Sequence, residues 1–443
     1  MSVTRNGYKI LKSTGALDLA KIKRELTVKP NIPAVFVQPQ HVKRYPVYSE
    51  TESFLYVPKQ FGIARFGEPS VSEVTVESSP DTWRFTGSLR PLQVDVVSKY
   101  TKDGMICLQT GGGKTVCALY IASTLKVKTL IVVHNTFLKD QWEDRIKAFL
   151  PDARIGRLQG SDIDVEGKDI VIAMIQSLSM KDYPRETFHG FGLTIVDECH
   201  HIASEVFVQA FQKITSKHML GLSATPDRKD GLMYVIEWFL GPILYKSDSG
   251  DKVDAAVRVE AYKHEPDDVE FNKVLHNSQG VMNVAGMVNK LADFKPRTTL
   301  IVQILKDILT ECPDRQILVL SDRVQHCKDI LAELDSPEQA CILAQSVAAA
   351  KRAEFCASKK ILIATYAMCK EGFDVSTLNT LVMATPRPDI DQIVGRILRT
   401  EKASRTVQPL IVDIVDSTFR RQFSARNALY KERSYVVEFM EFT

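Results

Sequence analysis

Apolar residues along this 443-residue chain fall into two patterns. Short unbroken runs occupy 105–108 (MICL), 129–133 (TLIVV), 169–175 (DIVIAMI), 193–197 (LTIVD) and 219–223 (MLGLS). They resume at 316–321 (QILVLS), 340–344 (ACILA), 360–365 (KILIAT), 380–385 (TLVMAT) and 409–415 (PLIVDIV). A run of β-branched residues without polar interruption predicts a strand buried on both faces. Between the runs lie segments of helical period: within 137–150, Leu138, Trp142, Ile146 and Phe149 share one face. Strands alternating with amphipathic helices predict parallel sheets covered by helices, an α/β fold. Turn formers gather at Pro226-Asp227, Asp230-Gly231, Gly241-Pro242 and Asp248-Ser249-Gly250, placing a linker near the end of that stretch. The pattern therefore predicts two tandem lobes, 89–250 and 251–443.

Residues 1–88 read differently. Prolines at 30, 33, 39, 46, 58 and 69 cut the segment into pieces, and the runs at 34–37 and 54–57 have strand character. A small N-terminal β-rich or α+β domain is expected. Residues 1–44 hold nine Lys and Arg against Asp18 and Glu25, an excess of seven positive charges. Such a segment can lie on a polyanion or be an ordinary solvated face. Basic and aromatic residues mix at Lys43-Arg44-Tyr45 and Lys59-Gln60-Phe61, which suits either base stacking with phosphate contact or a small core.

Composition narrows the class. Hydrophobic content of 44% and charged content of 25% are those of a globular protein, and the net charge of +3 is uninformative by itself. No apolar run of roughly 18 residues and no signal-peptide pattern is present, so no membrane association is expected. Eight cysteines without a C-x-x-C pair read as reduced core thiols, and a cytoplasmic or nuclear location is expected.

The chemistry centres on 105–115, MICLQTGGGKT. A buried strand, a turn through Thr110, Gly111, Gly112 and Gly113, and a helix starting at Lys114 and Thr115 direct backbone N–H groups and a helix dipole at an anion. Lys114 would reach the β and γ phosphates of a nucleotide, and the Thr115 hydroxyl would hold Mg²⁺. Leu108 stands where the strict phosphate-loop pattern has its first glycine. The run 193–197 ends in Asp197 and Glu198: Asp197 would hold the Mg²⁺, and Glu198 would deprotonate the attacking water. Cys199, His200 and His201 form a tempting zinc set, but adjacent residues do not converge on one tetrahedral ion without distant partners. Gln392, Arg396 and Arg399, spaced i, i+4 and i+7, would share a helical face, either as a solvated basic helix or as guanidinium groups aimed at a phosphate.

Taken together, Thr110-Gly111-Gly112-Gly113-Lys114-Thr115 and Asp197-Glu198-Cys199-His200-His201 resemble motifs I and II of superfamily 2 helicases of the DExH type. Further motifs follow in the family's order: Arg90 and Gln93 within Leu89-Arg90-Pro91-Leu92-Gln93 resemble the adenine-recognition segment. Asn135 and Thr136, and Gln176 and Ser177, resemble the strand-tracking motifs Ia and Ib. Ser223-Ala224-Thr225-Pro226 resembles motif III, which couples the ATP site to the nucleic-acid groove. Arg323 falls in a segment like motif IV, Thr365 with Gly372 and Asp374 in one like motif V, and Gln392, Arg396 and Arg399 in one like motif VI. The resemblance covers 89–415, and its details are similar to the branch containing XPB, phage UvsW and compact helicases of large DNA viruses.

That resemblance implies two RecA-like lobes with ATP and Mg²⁺ between them, and a nucleic-acid strand lying across both. It implies a monomeric ATP-dependent DNA helicase or translocase acting on single-stranded, forked or branched DNA, with 3′ to 5′ movement, in replication, recombination or repair. The alternatives are a duplex translocase that displaces transcripts or proteins, an RNA helicase, and a non-motor phosphate-loop enzyme. Residues 366–370 interrupt the motif V pattern, and 1–88 match no motif.

Overall fold

A computed structural model describes the chain apart from residues 14–16, 32–41, 80–82, 110, 202–203, 225–227, 229, 248–255, 345–346, 348, 371–374, 376, 399, 401–404 and 442–443, and the side chains of 201, 204, 349, 350 and 370. The chain divides into two compact units, Met1–Ser247 and Asp248–Thr443.

The first unit is built on an eight-stranded sheet, ordered Asp162–Asp164, Ile155–Gln159, Ile170–Met174, Thr129–Val133, Leu193–Val196, His218–Ser223, Gly104–Cys107 and Ile243–Lys246. Every pairing is parallel except that of the edge strand Asp162–Asp164. The unbroken apolar runs are buried along their length, as their pattern predicts. Successive strand side chains point to opposite faces, and the core divides accordingly. Leu130, Val132, Val171 and Ala173 belong to one apolar cluster, whereas Ile131, Val133, Ile170 and Ile172 belong to another. Parallel direction also puts the loops after Cys107, Val133, Met174, Val196 and Ser223 on a single edge of the sheet. These connections lead into Gly111 to Thr115, Asn135 and Thr136, Gln176 and Ser177, and Asp197 and Glu198.

The N-terminal segment forms its own five-stranded sheet, ordered Ser49–Glu50, Phe54–Val57, Gly7–Leu11, Ser2–Thr4 and Val71–Ser72. The strand expected at 34–37 lies outside the described residues. Val3, Tyr8, Ile10, Leu55 and Phe61 are buried in the cluster that also holds Leu130 and Val132. Of the two alternatives for the basic and aromatic residues, Phe61 and Tyr45 take the core one. Phe61 is buried edge-on against Trp238, with ring centroids 5.3 Å apart, and Tyr45 is buried as well. Lys59 Nζ lies 2.7 Å from the buried Asp103 carboxylate and Gln60 Nε2 donates to it at 2.8 Å, so 59–61 is an anchor. Part of the positive excess is answered by two carboxylates later in the segment: Lys9 pairs with Glu73 at 3.1 Å, and Lys12 and Lys23 pair with Glu50 at 2.5 and 2.7 Å.

The second unit carries a seven-stranded, wholly parallel sheet, ordered Ala340–Leu343, Ile361–Thr365, Ile317–Ser321, Thr380–Met383, Leu410–Asp416, Arg258–His264 and Val436–Met440. Alternate residues again separate, Leu318 and Leu320 from Ile317 and Val319. Two buried ion pairs fasten the strand Leu410–Asp416: Arg297 grips Asp416 with both contacts at 2.9 Å, and Arg426 grips Asp413 with both at 2.8 Å. His264 and the Tyr430 hydroxyl complete these pairs, so the buried charges are compensated. Among the described residues no helix is long and apolar enough to cross a membrane.

One side chain here sets an acid limit. The Ser321 hydroxyl accepts the Arg323 backbone N–H at 3.1 Å and lies 3.0 Å from His326 Nδ1, to which it is free to donate. Burial, aided by the Arg297 guanidinium, pushes the His326 pKa down from 6.5 to about 4. The unfolded chain therefore binds this proton first as pH falls, and stability drops between pH 6.5 and about 4. The full shift corresponds to roughly 3 kcal/mol at about 1.4 kcal/mol per pH unit. Urea unfolding of wild type and His326→Gln at pH 7 and pH 5 should show a smaller loss in the variant; equal losses exclude His326 as the source.

Candidate ATP and nucleic-acid site

The phosphate loop owes its shape to glycine. Gly111 and Gly113 have φ of +83° and +86°, and Gly113 caps the helix Lys114–Leu125 in a left-handed conformation. The loop is also gripped from outside. Arg90 Nη2 donates to the Gly111 carbonyl at 3.2 Å and Gln93 Nε2 to the Gly112 carbonyl at 3.4 Å, while the Arg90 backbone N–H donates to Gln93 Oε1 at 2.9 Å. A Cβ on Gly113 would lie 2.0 Å from Gln93 Nε2. Gly113→Ala is expected to distort the loop and weaken nucleotide binding at least tenfold, taking roughly 1.5 kcal/mol as a lower figure for backbone strain plus displacement of Gln93. Titration with a fluorescent ATP analogue measures it, and unchanged affinity rejects the crowding argument.

Lys114 Nζ lies 3.3 Å from Glu198 Oε1 and donates to the Leu108 carbonyl at 3.2 Å. The structure thus brings together Lys114 and Glu198, which are far apart in sequence. Asp197 directly follows the strand Leu193–Val196, one strand removed from Gly104–Cys107, and is buried; Oδ2 accepts from the Trp142 indole at 2.8 Å and Oδ1 from the Glu198 backbone N–H at 2.9 Å. Burial, then the adjacent Glu198 carboxylate, push the Asp197 pKa up to about 6, against the pull of Lys114 and Trp142. Glu198 has a left-handed backbone, φ +45°, which costs a non-glycine residue roughly 1 kcal/mol. That turn directs successive carboxylates apart, Asp197 to Trp142 and Glu198 to Lys114.

His200 connects this pair to the next strand. Its Nδ1 lies 2.8 Å from Ser223 Oγ and 3.5 Å from Glu198 Oε2, and its carbonyl accepts from Arg228 Nη1 at 2.8 Å. Arg228 is in turn fixed by Asp230 at 2.6 Å. Cys199 is buried against Met105, and the His201 side chain is outside the described residues. Trp142 and Arg228 were not candidate site residues, and His200 was named only within the motif II segment and the rejected zinc set. Trp142 gave only an apolar-face signal, since the direction of its one N–H depends on the sheet above it.

Thr115 is half-buried in the first turn of its helix, and Ala224 follows Ser223; Thr110 and Thr225 lie outside the described residues. Asn135 caps the helix Thr136–Phe149 by accepting the Leu138 N–H at 2.8 Å, and Thr136 is exposed. The exposed Gln176 donates to the His134 carbonyl at 2.7 Å, joining the helix Ile175–Met180 to the loop after Val133, while Ser177 accepts the Gly160 N–H at 2.9 Å. In the second unit, Arg323 Nη2 donates to the Ala285 carbonyl at 3.1 Å. Thr365 accepts the Met368 N–H at 3.3 Å, capping the short helix Tyr366–Lys370. The buried Tyr366 donates to the Thr385 carbonyl at 2.6 Å, which makes the interruption of motif V a packing element. Gln392 and the buried Arg396 sit on the helix Asp391–Ile397. Gly372, Asp374 and Arg399 lie outside the described residues.

The family described as the res subunit of type III restriction enzymes matches residues 83–228, which span this whole arrangement in the first unit. A protein of Acanthamoeba polyphaga mimivirus, named as a candidate ATP-dependent RNA helicase, is 32% identical over 455 residues, covering 98% of this chain and 86% of the relative. The chain belongs to the superfamily 2 helicases. It is an ATP-dependent helicase related to viral ones. Part of this helicase is also similar to the DNA 3′-5′ translocase XPB2 of Sulfurisphaera tokodaii, 39% identical over 160 residues, covering 36% of this chain and 35% of the other. The helicase domain of Pyrococcus furiosus Hef has the same fold: TM-score 0.51 and 15% identity, covering 78% of this chain and 98% of that one. The α/β architecture is that of tandem RecA-like helicase lobes with a small N-terminal domain.

Proposed function

We propose that this helicase is a DNA-stimulated ATPase that moves 3′ to 5′ along one strand and opens forked or branched DNA. The observation that carries the ATPase part is the Lys114–Glu198 pair at 3.3 Å, on the sheet edge where a glycine-rich helix start and a buried Asp197 also stand. An incoming triphosphate competes for Lys114, releasing Glu198 to take a proton from the attacking water. Backbone N–H groups of 111–115 cradle the phosphates, Arg90 hydrogen-bonds to the loop, and Gln93, already holding the loop, is assigned to adenine.

Mg²⁺ fits this donor set: a buried carboxylate whose pKa is raised welcomes a divalent cation, and Thr115 starts the adjacent helix. Asp197 and Thr115 would hold it, and it would neutralise charge on the phosphates. Arg396, with Gln392 and Arg399, is assigned to stabilising charge on the γ-phosphate during hydrolysis. Ser223, Ala224 and Thr225 would relay the state of the site through His200, which lies between Ser223 and Glu198. Asn135, Thr136, Gln176, Ser177, Arg323 and Thr365 are assigned to the tracked strand, gripped through its phosphates. Gly372 and Asp374 complete the nucleotide set.

The XPB2 match favours DNA as the track. The mimivirus relative's name favours RNA, the second reading. Strand displacement on duplexes with a 3′ or 5′ tail, made in DNA and in RNA, separates them. Opening of 3′-tailed DNA supports the proposal; opening of RNA alone replaces it by the second reading.

A further inference from the structure

A polar cavity lies at the opposite edge of the first unit's sheet. It measures about 330 Å³ and is lined by N-terminal residues, among them Arg5, Lys9 and Tyr56, and by Arg185 and His189. Arg185 and His189 precede the strand Leu193–Val196, and Thr215, also in the wall, precedes His218–Ser223. Because both strands run parallel to Gly104–Cys107, this is the edge away from the phosphate loop. The cavity is distinct from the ATP site.

Lys9, Lys12 and Lys23 each pair with a carboxylate, but Arg5 does not. Arg5 Nη1 donates to the Arg185 carbonyl at 3.1 Å, and its guanidinium lies 5.5 Å from the centre of the Phe188 ring. Among the described residues neither Arg5 nor Arg185 makes an ion pair. The two repel: burial and then Arg185 lower the pKa of Arg5, with Glu186 pulling the other way. Glu73 is the carboxylate of the wall, and it is already engaged by the Ser2 hydroxyl at 2.7 Å and by Lys9 at 3.1 Å. Arg5 and Arg185 thus line one cavity, with the hydroxyl-bearing Tyr56 and Thr215 also in its wall, and guanidinium groups that share a wall are suited to fork onto a phosphate.

We propose that this cavity binds a backbone phosphate of nucleic acid, in a duplex arm outside the strand tracked at the ATP edge. The inference rests on the proposed motor activity. It gives residues 1–88 a part in choosing branched over single-stranded substrates, through Arg5 instead of the anchored 59–61.

Fluorescence anisotropy with a forked DNA, its isolated single-stranded tail, and RNA versions of both tests the proposal in wild type, Arg5→Gln, Arg185→Gln and the double variant. Each lost guanidinium contact should weaken fork binding by about tenfold, the lower range for a charged hydrogen bond, and should flatten the salt dependence by about one unit of log–log slope. Tail binding and ATP hydrolysis without nucleic acid should stay at wild-type level. Unchanged fork affinity overturns the proposal, and so does an equal loss on the tail alone. Loss of ADP binding with fork affinity retained would assign the cavity to a free nucleotide and overturn it as well. If Arg5→Gln misfolds by thermal melting, the exposed Arg185→Gln carries the test alone. Wild type that binds no nucleic acid refutes the motor reading instead; wild type that binds forks no better than the variants refutes only this site.

Discussion

Glu198→Gln should bind ATP and nucleic acid normally and hydrolyse ATP roughly 10²- to 10⁴-fold more slowly, the range for removing a general base. Glutamine keeps the length and shape of the side chain, so the left-handed backbone at this position meets the same strain in both proteins. It loses the negative charge, which has two further effects. Lys114 is released from its 3.3 Å contact and is free for phosphate. Asp197, whose pKa is raised partly by Glu198, becomes easier to ionise. Nucleotide affinity should therefore be held or tightened while turnover collapses. Single-turnover hydrolysis and nucleotide titration on one preparation separate the two quantities. Normal hydrolysis would remove Glu198 from the role of base.

Lys114→Ala should fail earlier, at binding. A charge-assisted contact to phosphate contributes about 1.5–3 kcal/mol, so ATP affinity should fall by about 10- to 100-fold. The substitution also leaves Asp197 and Glu198 without the cation that now lowers the pKa of Asp197. Protonation of Asp197 then competes with metal binding, and hydrolysis should be lost even at saturating ATP. Isothermal titration with a non-hydrolysable analogue reports the affinity. Wild-type binding by the variant would mean that the phosphates lie elsewhere.

The parts of this fold visible in the sequence are those whose residues answer only to burial. The runs at 129–133, 193–197 and 316–321 face apolar neighbours on both sides, so composition alone predicts them. The strand Arg258–His264, second from the edge of its sheet, escaped because charge interrupts it: Glu260 is buried, and the hydroxyl of Tyr262, 2.9 Å away, and Arg258 compensate it. Those partners are two residues away on the same strand, yet only the flanking strands reveal that the pair is inside.

The candidate site divides the same way. Lys114, Asp197 and Glu198 are legible because phosphate chemistry demands those groups after buried strands. The hold of Trp142 on Asp197, the contact of His200 with Ser223, and the contact of Arg5 with the Arg185 carbonyl join residues 23 to 180 positions apart. Only tertiary packing creates them. Lys59-Gln60-Phe61 shows the converse: a motif apt for nucleic acid is spent on the buried Asp103 and on Trp238.

The most direct test of the motor reading is the rate of ATP hydrolysis by the pure protein without nucleic acid, and with single-stranded DNA, forked DNA and RNA, each at two salt concentrations. Low basal turnover, raised strongly by DNA and most by forks, and falling with salt, is the expected result. Hydrolysis indifferent to every nucleic acid contradicts the account.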